Sequence, residues 1–99
     1  MDMLISFDAH ATVNGKESSI EAYSEFYDEL GKLCKKIIHP YNETRMPRST
    51  CLLKDILNAD IIKFKIELFS AARKHKLKLT KIAILRAEGK DYKFSLLSS

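Results

Sequence analysis

From Met3 to Val13 the chain alternates. Ile5, Phe7, Ala9, Ala11 and Val13 fall on one side and Ser6, Asp8, His10 and Thr12 on the other, with Leu4 the sole exception. A period of two predicts a half-buried β-strand. Asn14-Gly15 predicts the turn that ends it, because both residues tolerate positive φ. The period then changes: Ile20, Tyr23, Phe26, Tyr27, Leu30, Leu33, Cys34, Ile37 and Ile38 recur at helical spacing, opposite Glu21, Glu25, Asp28, Glu29, Lys32 and Lys36. Ser18 and Glu21 have capping-box spacing, in which hydroxyl and carboxylate each satisfy a backbone N–H of the first turn. Pro40 predicts the end of this helix near His39. Residues 39–48, which hold both prolines, read as the one long loop.

Between Ser49 and Glu88 there is neither Gly nor Pro. Ser49 or Thr50 is placed to cap a second helix through Leu52, Leu53, Ile56 and Leu57, with a break near Asn58-Ala59-Asp60. Residues 60–76 carry both periods. Ile62, Phe64, Ile66 and Leu68 alternate with Lys63, Lys65 and Glu67, whereas Leu53, Leu57, Ile61, Phe64, Leu68, Ala72 and His75 keep helical spacing. The Ser-Ala-Ala-Arg-Lys-His-Lys stretch that follows favours helix, so a third helix is expected. Ile82 to Ala87 and Tyr92 to Leu97 flank Glu88-Gly89-Lys90-Asp91, the signature of a terminal β-hairpin. The expected architecture is a single α+β domain over residues 1–99 in the order β-α-α-α-β-β. A small three-stranded antiparallel sheet, made of the N-terminal strand and the C-terminal hairpin, would be covered by two or three helices. A strand as regular as residues 3–13 would leave an edge able to pair with a copy of itself, giving a two-fold homodimer.

Composition narrows the class without naming a function. The chain has 99 residues, 45% of them hydrophobic and 30% charged, with three Gly and two Pro. That is a globular balance and excludes collagen-like, linker-like and disordered chains. No apolar run is long enough to span a membrane and no signal peptide is visible. Two Cys in a loop-poor chain argue against a secreted disulfide scaffold and for a reducing, cytoplasmic compartment. Charge is the more informative property. Residues 1–33 carry seven acids against Lys16 and Lys32, while residues 34–99 carry fifteen Lys and Arg against six acids. Asymmetry of this size within one domain implies either an oppositely charged partner or internal pairing.

Two surfaces therefore become candidates. Lys63, Arg73, Lys74, Lys76, Lys78, Lys81, Arg86, Lys90 and Lys93 crowd the C-terminal third. Phosphate recognition needs such a concentration, because each neutralised phosphate releases a condensed counterion. The expectation is a small basic regulatory protein that binds nucleic acid through this 63–93 surface. The alternative is a non-enzymatic protein-binding module, such as an inhibitor, adaptor or immunity-type protein. It would use the acidic first helix, through Glu21, Glu25, Asp28 and Glu29, or the 39–48 loop. The acidic stripe has a third use, folding against the chain's own cations. Three helices followed by a hairpin is also the order of elements in winged-helix DNA-binding domains, with residues 60–76 in the recognition position. Only the order is shared, since that segment is rich in Ile, Phe and Leu, and no family is identified from it.

Catalytic constellations are lacking. Ser6, Asp8 and His10 share one strand face, but residues two apart on a strand stand about 7 Å from each other, too far for a nucleophile–base hydrogen bond. Cys34 lies in the apolar stripe of the first helix and reads as core, Cys51 reads as half-exposed, and their spacing matches no zinc pattern. There is no Gly-rich phosphate loop, nucleophile elbow or H-E-x-x-H. The chain is expected not to be an enzyme and to need no cofactor or metal.

Overall fold

The computed structural model describes residues 1–11, 20–58 and 60–98. Its elements are β1 (Asp2–Ala11), α1 (Ile20–Gly31), β2 (Cys34–Ile38), β3 (Thr50–Ile56), α2 (Ile61–Lys74) and β4 (Leu77–Ala87). The four strands form one antiparallel sheet in the order β2-β3-β1-β4. This β-α-β-β-α-β order with β1 and β3 in the middle is the split βαβ topology. Both helices pack on one face of the sheet. Met3, Ile5, Phe7, Cys51, Leu53 and Leu77 meet Phe26, Tyr27, Leu30, Phe64, Leu68 and Ala72 there in a single buried core.

The expected three-stranded sheet with three helices is thus corrected to four strands and two helices. The expected N-terminal strand and third helix are present as β1 and α2, and the expected strand from Ile82 to Ala87 lies within β4. Asp60 caps α2, its carboxylate accepting from the N–H groups of Ile62 at 2.9 Å and Lys63 at 3.3 Å. The other differences have separate physical causes. The expected second helix is strand β3. It lies between β1 and β2 with Cys51, Leu52 and Leu53 all buried. A strand covered on both faces shows a continuous apolar run and loses its period of two. Cys51 is accordingly fully buried, not half-exposed.

The expected long first helix stops at Gly31, and Cys34–Ile38 continue as strand β2. A Cβ on Gly31 would stand 3.3 Å from Cγ2 of Ile37, so a small residue is what lets the chain turn back tightly at this point. The β-branched pair Ile37-Ile38 then favours the sheet.

The terminal hairpin is also absent. Glu88-Gly89-Lys90 bends the chain, but residues 91–98 do not pair as a strand. They run across the sheet's second face instead. β1 is central, hydrogen-bonded to β4 from Asp2 to Ala11 and to β3 over Met3–Ser6, so the edge expected for residues 3–13 is covered by β3 over its first part. The outer strands of the sheet are β2 and β4. The Asn14-Gly15 turn, the Ser18–Glu21 capping box and the Glu21 side chain lie outside the described residues.

The assignment of α2 makes a direct prediction. Phe64 is fully buried whereas Ile66, two residues on, is exposed. Phe64→Ala is expected to cost about 3–5 kcal/mol, and Ile66→Ala to stay within about 0.5 kcal/mol of the parent. Denaturant unfolding measures both; equal losses would mean that residues 61–74 do not bury the assigned face.

Candidate interaction surfaces

The acidic and basic segments meet each other. α1 and α2 lie side by side on the sheet, which brings the exposed acids of α1 to the C-terminal end of α2. Lys74 Nζ stands 2.8 Å from Glu29 Oε1, and Lys32 Nζ stands 3.3 Å from the same oxygen. His75, the C-cap of α2, places Nδ1 3.0 Å from Glu25 Oε2 and Nε2 3.7 Å from Glu29 Oε1. The Lys74 and Lys32 ammoniums hold the Glu29 carboxyl down to about 2. Of the candidate acidic surface, Glu25 and Glu29 are therefore engaged internally. Asp28 is exposed and lies near enough to His39 to favour its charged form, although burial dominates and lowers the His39 pKa.

The nine candidate cations do not share one face. Lys63, Arg73 and Lys74 lie on α2, in the helical layer. Lys78 and Lys81 lie on β4 on the opposite side of the sheet, since Leu77 and Ile82 beside them point to the core. Arg86 pairs across from Met3 and sits at the end of β4 on the helical side. Lys90 and Lys93 belong to the C-terminal segment, and Lys90 Nζ is bound 2.8 Å from Asp55 Oδ1. Lys76, at φ 60°, follows the α2 cap. The sheet thus separates two groups of cations that the linear sequence runs together.

The second sheet face is covered in part by residues 91–98. On it lie Leu4, Leu52, Ile38 and Leu85, in rows set by the pairs Leu4↔Leu52, Leu4↔Leu85 and Ile38↔Leu52. Tyr92 and Phe94 lie over this apolar row and, with Asp2, Leu4, Leu52 and Leu85, line a cleft of about 520 Å³. Asp2 is the anchor. It is 1% exposed; Oδ1 accepts from the Asp55 N–H at 2.8 Å and Oδ2 accepts from the Tyr92 hydroxyl. Lys90 Nζ is 3.9 Å from Asp2 Oδ1. Burial alone would raise the Asp2 pKa. The Tyr92 hydroxyl, the Asp55 N–H and the Lys90 charge outweigh it and hold the carboxyl below its ordinary 3.8. Asp55 reaches this position with φ 56°. Farther along the segment, Arg45 Nη1 donates to the Leu96 carbonyl at 3.4 Å, tying it to the 39–48 loop.

That loop has its own anchor. His39 stacks on Tyr27 with ring centroids 5.1 Å apart and planes 5° from parallel, and Tyr41 leans on both. His39 Nδ1 accepts from the Tyr41 N–H at 3.1 Å. The Tyr27 hydroxyl is buried without a hydrogen-bond partner, and burial raises its pKa. His39 and His75 are held by separate partners and form no acid–base pair. Ser6 and Asp8 are exposed on the second sheet face, as expected. Both Cys are buried and free, their thiols pushed up by burial. Among the described residues no three His, Cys, Asp or Glu are grouped to hold a metal ion.

A surface the linear sequence did not single out lies on α2. Ile62 is 69% exposed, Ile66 62% and Phe69 43%. They fall with Arg73 within an arc of roughly 60° at 100° per residue, turned away from the buried Phe64, Leu68, Ala71 and Ala72. Ile62 and Ile66 belong to the alternating set of residues 60–76, and on a helix that alternation marks two apolar sides, one buried through Phe64 and Leu68 and one exposed.

The chain matches no protein-family model, and neither a curated protein nor a solved structure is significantly similar to it. Among the described residues no helix is long and apolar enough to cross a membrane.

Two titrations follow. Glu29 contributes stability that is complete above its ordinary 4.5 and is lost as the pH falls through its folded value of about 2. Carboxyl NMR shifts should place its midpoint there, and Lys74→Ala should move the midpoint up toward 4.5; an unmoved midpoint would break the α1–α2 seam. Asp2 likewise supports the fold above its ordinary 3.8 and loses that contribution as the pH drops through its lower folded value. Asp2→Asn should speed amide exchange of residues 90–97 far more than that of β1. Uniform acceleration would mean that Asp2 holds the whole sheet and not the segment.

Proposed function

We propose that this chain is a non-catalytic binding module that recognises another protein through the outer face of α2. The observation that carries this is the exposure of Ile62, Ile66 and Phe69 in one stripe. Scattered apolar residues on a surface need no explanation, but three on successive turns of one helix, rimmed by charge, are the usual anatomy of a recognition face. Nothing in the core requires them, since Phe64, Leu68, Ala71 and Ala72 already fill it. The distribution of the cations also favours a protein partner. A duplex-binding surface needs its phosphate contacts on one side, and here Lys74 is paired with Glu29 and Lys90 with Asp55, while the sheet divides most of the others. The split βαβ topology itself supports no particular activity.

The test is affinity capture from the native host with the parent chain and Ile66→Ser, each with and without nuclease. The expected result is a discrete protein retained after nuclease treatment and lost with Ile66→Ser, while thermal unfolding of the variant is unchanged. Co-purifying nucleic acid that is retained by Ile66→Ser and released by nuclease would overturn the proposal. It would point back to Lys78, Lys81 and the remaining cations.

A further inference from the structure

We infer that the partner of α2 is an acidic amphipathic helix that packs along it as in a short two-helix coiled coil. This rests on the docking face just proposed and names its occupant. Ile62, Ile66, Phe69 and Arg73 are spaced four, three and four residues apart, which is the d-a-d-a seam of a heptad repeat. The seam is about 17 Å long, two heptads of an exposed helix. A facing helix inserts its own side chains between such positions.

The residues flanking the seam select the partner's charge. With Ile62 and Phe69 at d and Ile66 at a, Lys63 occupies e and Lys65 occupies g. These are the positions that set which helix pairs with which, through ion pairs across the seam. Lys63 and Lys65 are exposed, and among the described residues neither makes an ion pair. Arg73 enlarges the same positive rim at the helix's C-terminal end, and Glu67 lies well round from the seam. A partner helix with Glu or Asp at its own e and g positions complements this rim.

A second copy of the chain does not fit. Two α2 helices would bring together two copies of the same positive rim, with no acid at e or g of either to complement Lys63 and Lys65. The chain's own acidic helix, α1, has its apolar face committed to the core through Phe26, Tyr27 and Leu30. Nucleic acid has no use for an apolar centre three residues long.

The test uses the full chain and two synthetic 21-residue peptides. Both carry Ile at a and Leu at d over three heptads, one with Glu and the other with Lys at every e and g. Backbone amide shifts are followed on titration. The expected result is perturbation centred on residues 61–74 by the Glu peptide, with at least tenfold tighter binding than the Lys peptide at low salt. Ile66→Ser should weaken it at least tenfold. The double variant Lys63→Glu, Lys65→Glu should exchange the preference and bind the Lys peptide. Both lie on exposed positions, so near-identical unfolding temperatures check that the fold is intact. Equal binding of both peptides, binding by neither, or shifts elsewhere would overturn the inference. So would binding of phosphatidylserine vesicles through α2 without any response to the Glu peptide. An Ile66-dependent host protein found alongside such a failure would leave the docking face standing and remove only the acidic helix.

Discussion

A four-stranded sheet has two faces, and the described residues form two helices, both on the same one. That mismatch constrains the rest of the structure. β1 and β3 are the central strands and carry apolar side chains on both sides: Met3, Ile5, Phe7, Cys51 and Leu53 toward the helices, Leu4 and Leu52 away from them. Leaving the second row in water would forgo much of its hydrophobic stabilisation and present an adhesive patch. Residues 91–98 cover part of this row by crossing the strands, Tyr92 and Phe94 beside Leu4 and Leu52 and Leu96 tied to Arg45, while Leu85 stays exposed. The acidic residue that fixes this crossing, Asp2, is itself in β1. The strand at the centre of the sheet thus also holds the cover of the opposite face.

Charge obeys a similar economy. The excess of acid in the first third and of base in the remainder looks, along the chain, like two surfaces awaiting two partners. In three dimensions the α1–α2 seam and the Asp2–Lys90–Asp55 cluster consume part of each. What remains outward on α2 is a rim of cations around an apolar line, a combination suited to a protein surface more than to a phosphate backbone. The large local counts of Lys and Arg therefore overstate how basic any single face is.

The legible parts of the fold were those where one face only is buried. β1 keeps its period of two because Ser6 and Asp8 are exposed opposite Ile5 and Phe7. α2 was legible through the break expected near Asn58-Ala59-Asp60 and its Ala-containing end, with boundaries close to those expected. β3 was hidden because burial on both sides erases alternation. β2 was hidden because Leu33, Cys34, Ile37 and Ile38 extend the helical spacing of α1 by coincidence, over a strand of five residues. The C-terminal segment does alternate, but its apolar side chains serve a face and not a hydrogen-bonded edge, which no local pattern distinguishes. The exposed stripe of α2 was missed for a related reason: exposure is a property of the assembled layer, and Ile62 and Phe64 are equivalent until the sheet decides which of them it covers.

The pairing of Asp2 with Ala87 has a consequence for how the chain folds. β1 is synthesised before β4 and cannot acquire this neighbour until both helices and the strands between them have been made. Until then its β4-facing edge stays unsatisfied. The contacts that close this sheet are among the longest in sequence that a chain of this size permits, and loop-closure entropy must be met before they return anything. The helices and the β2–β3 pair form from neighbouring residues, whereas the centre of the sheet waits for β4. A protein of this topology is therefore vulnerable while it is incomplete, and any fragment lacking β4 leaves its core strand exposed along one side.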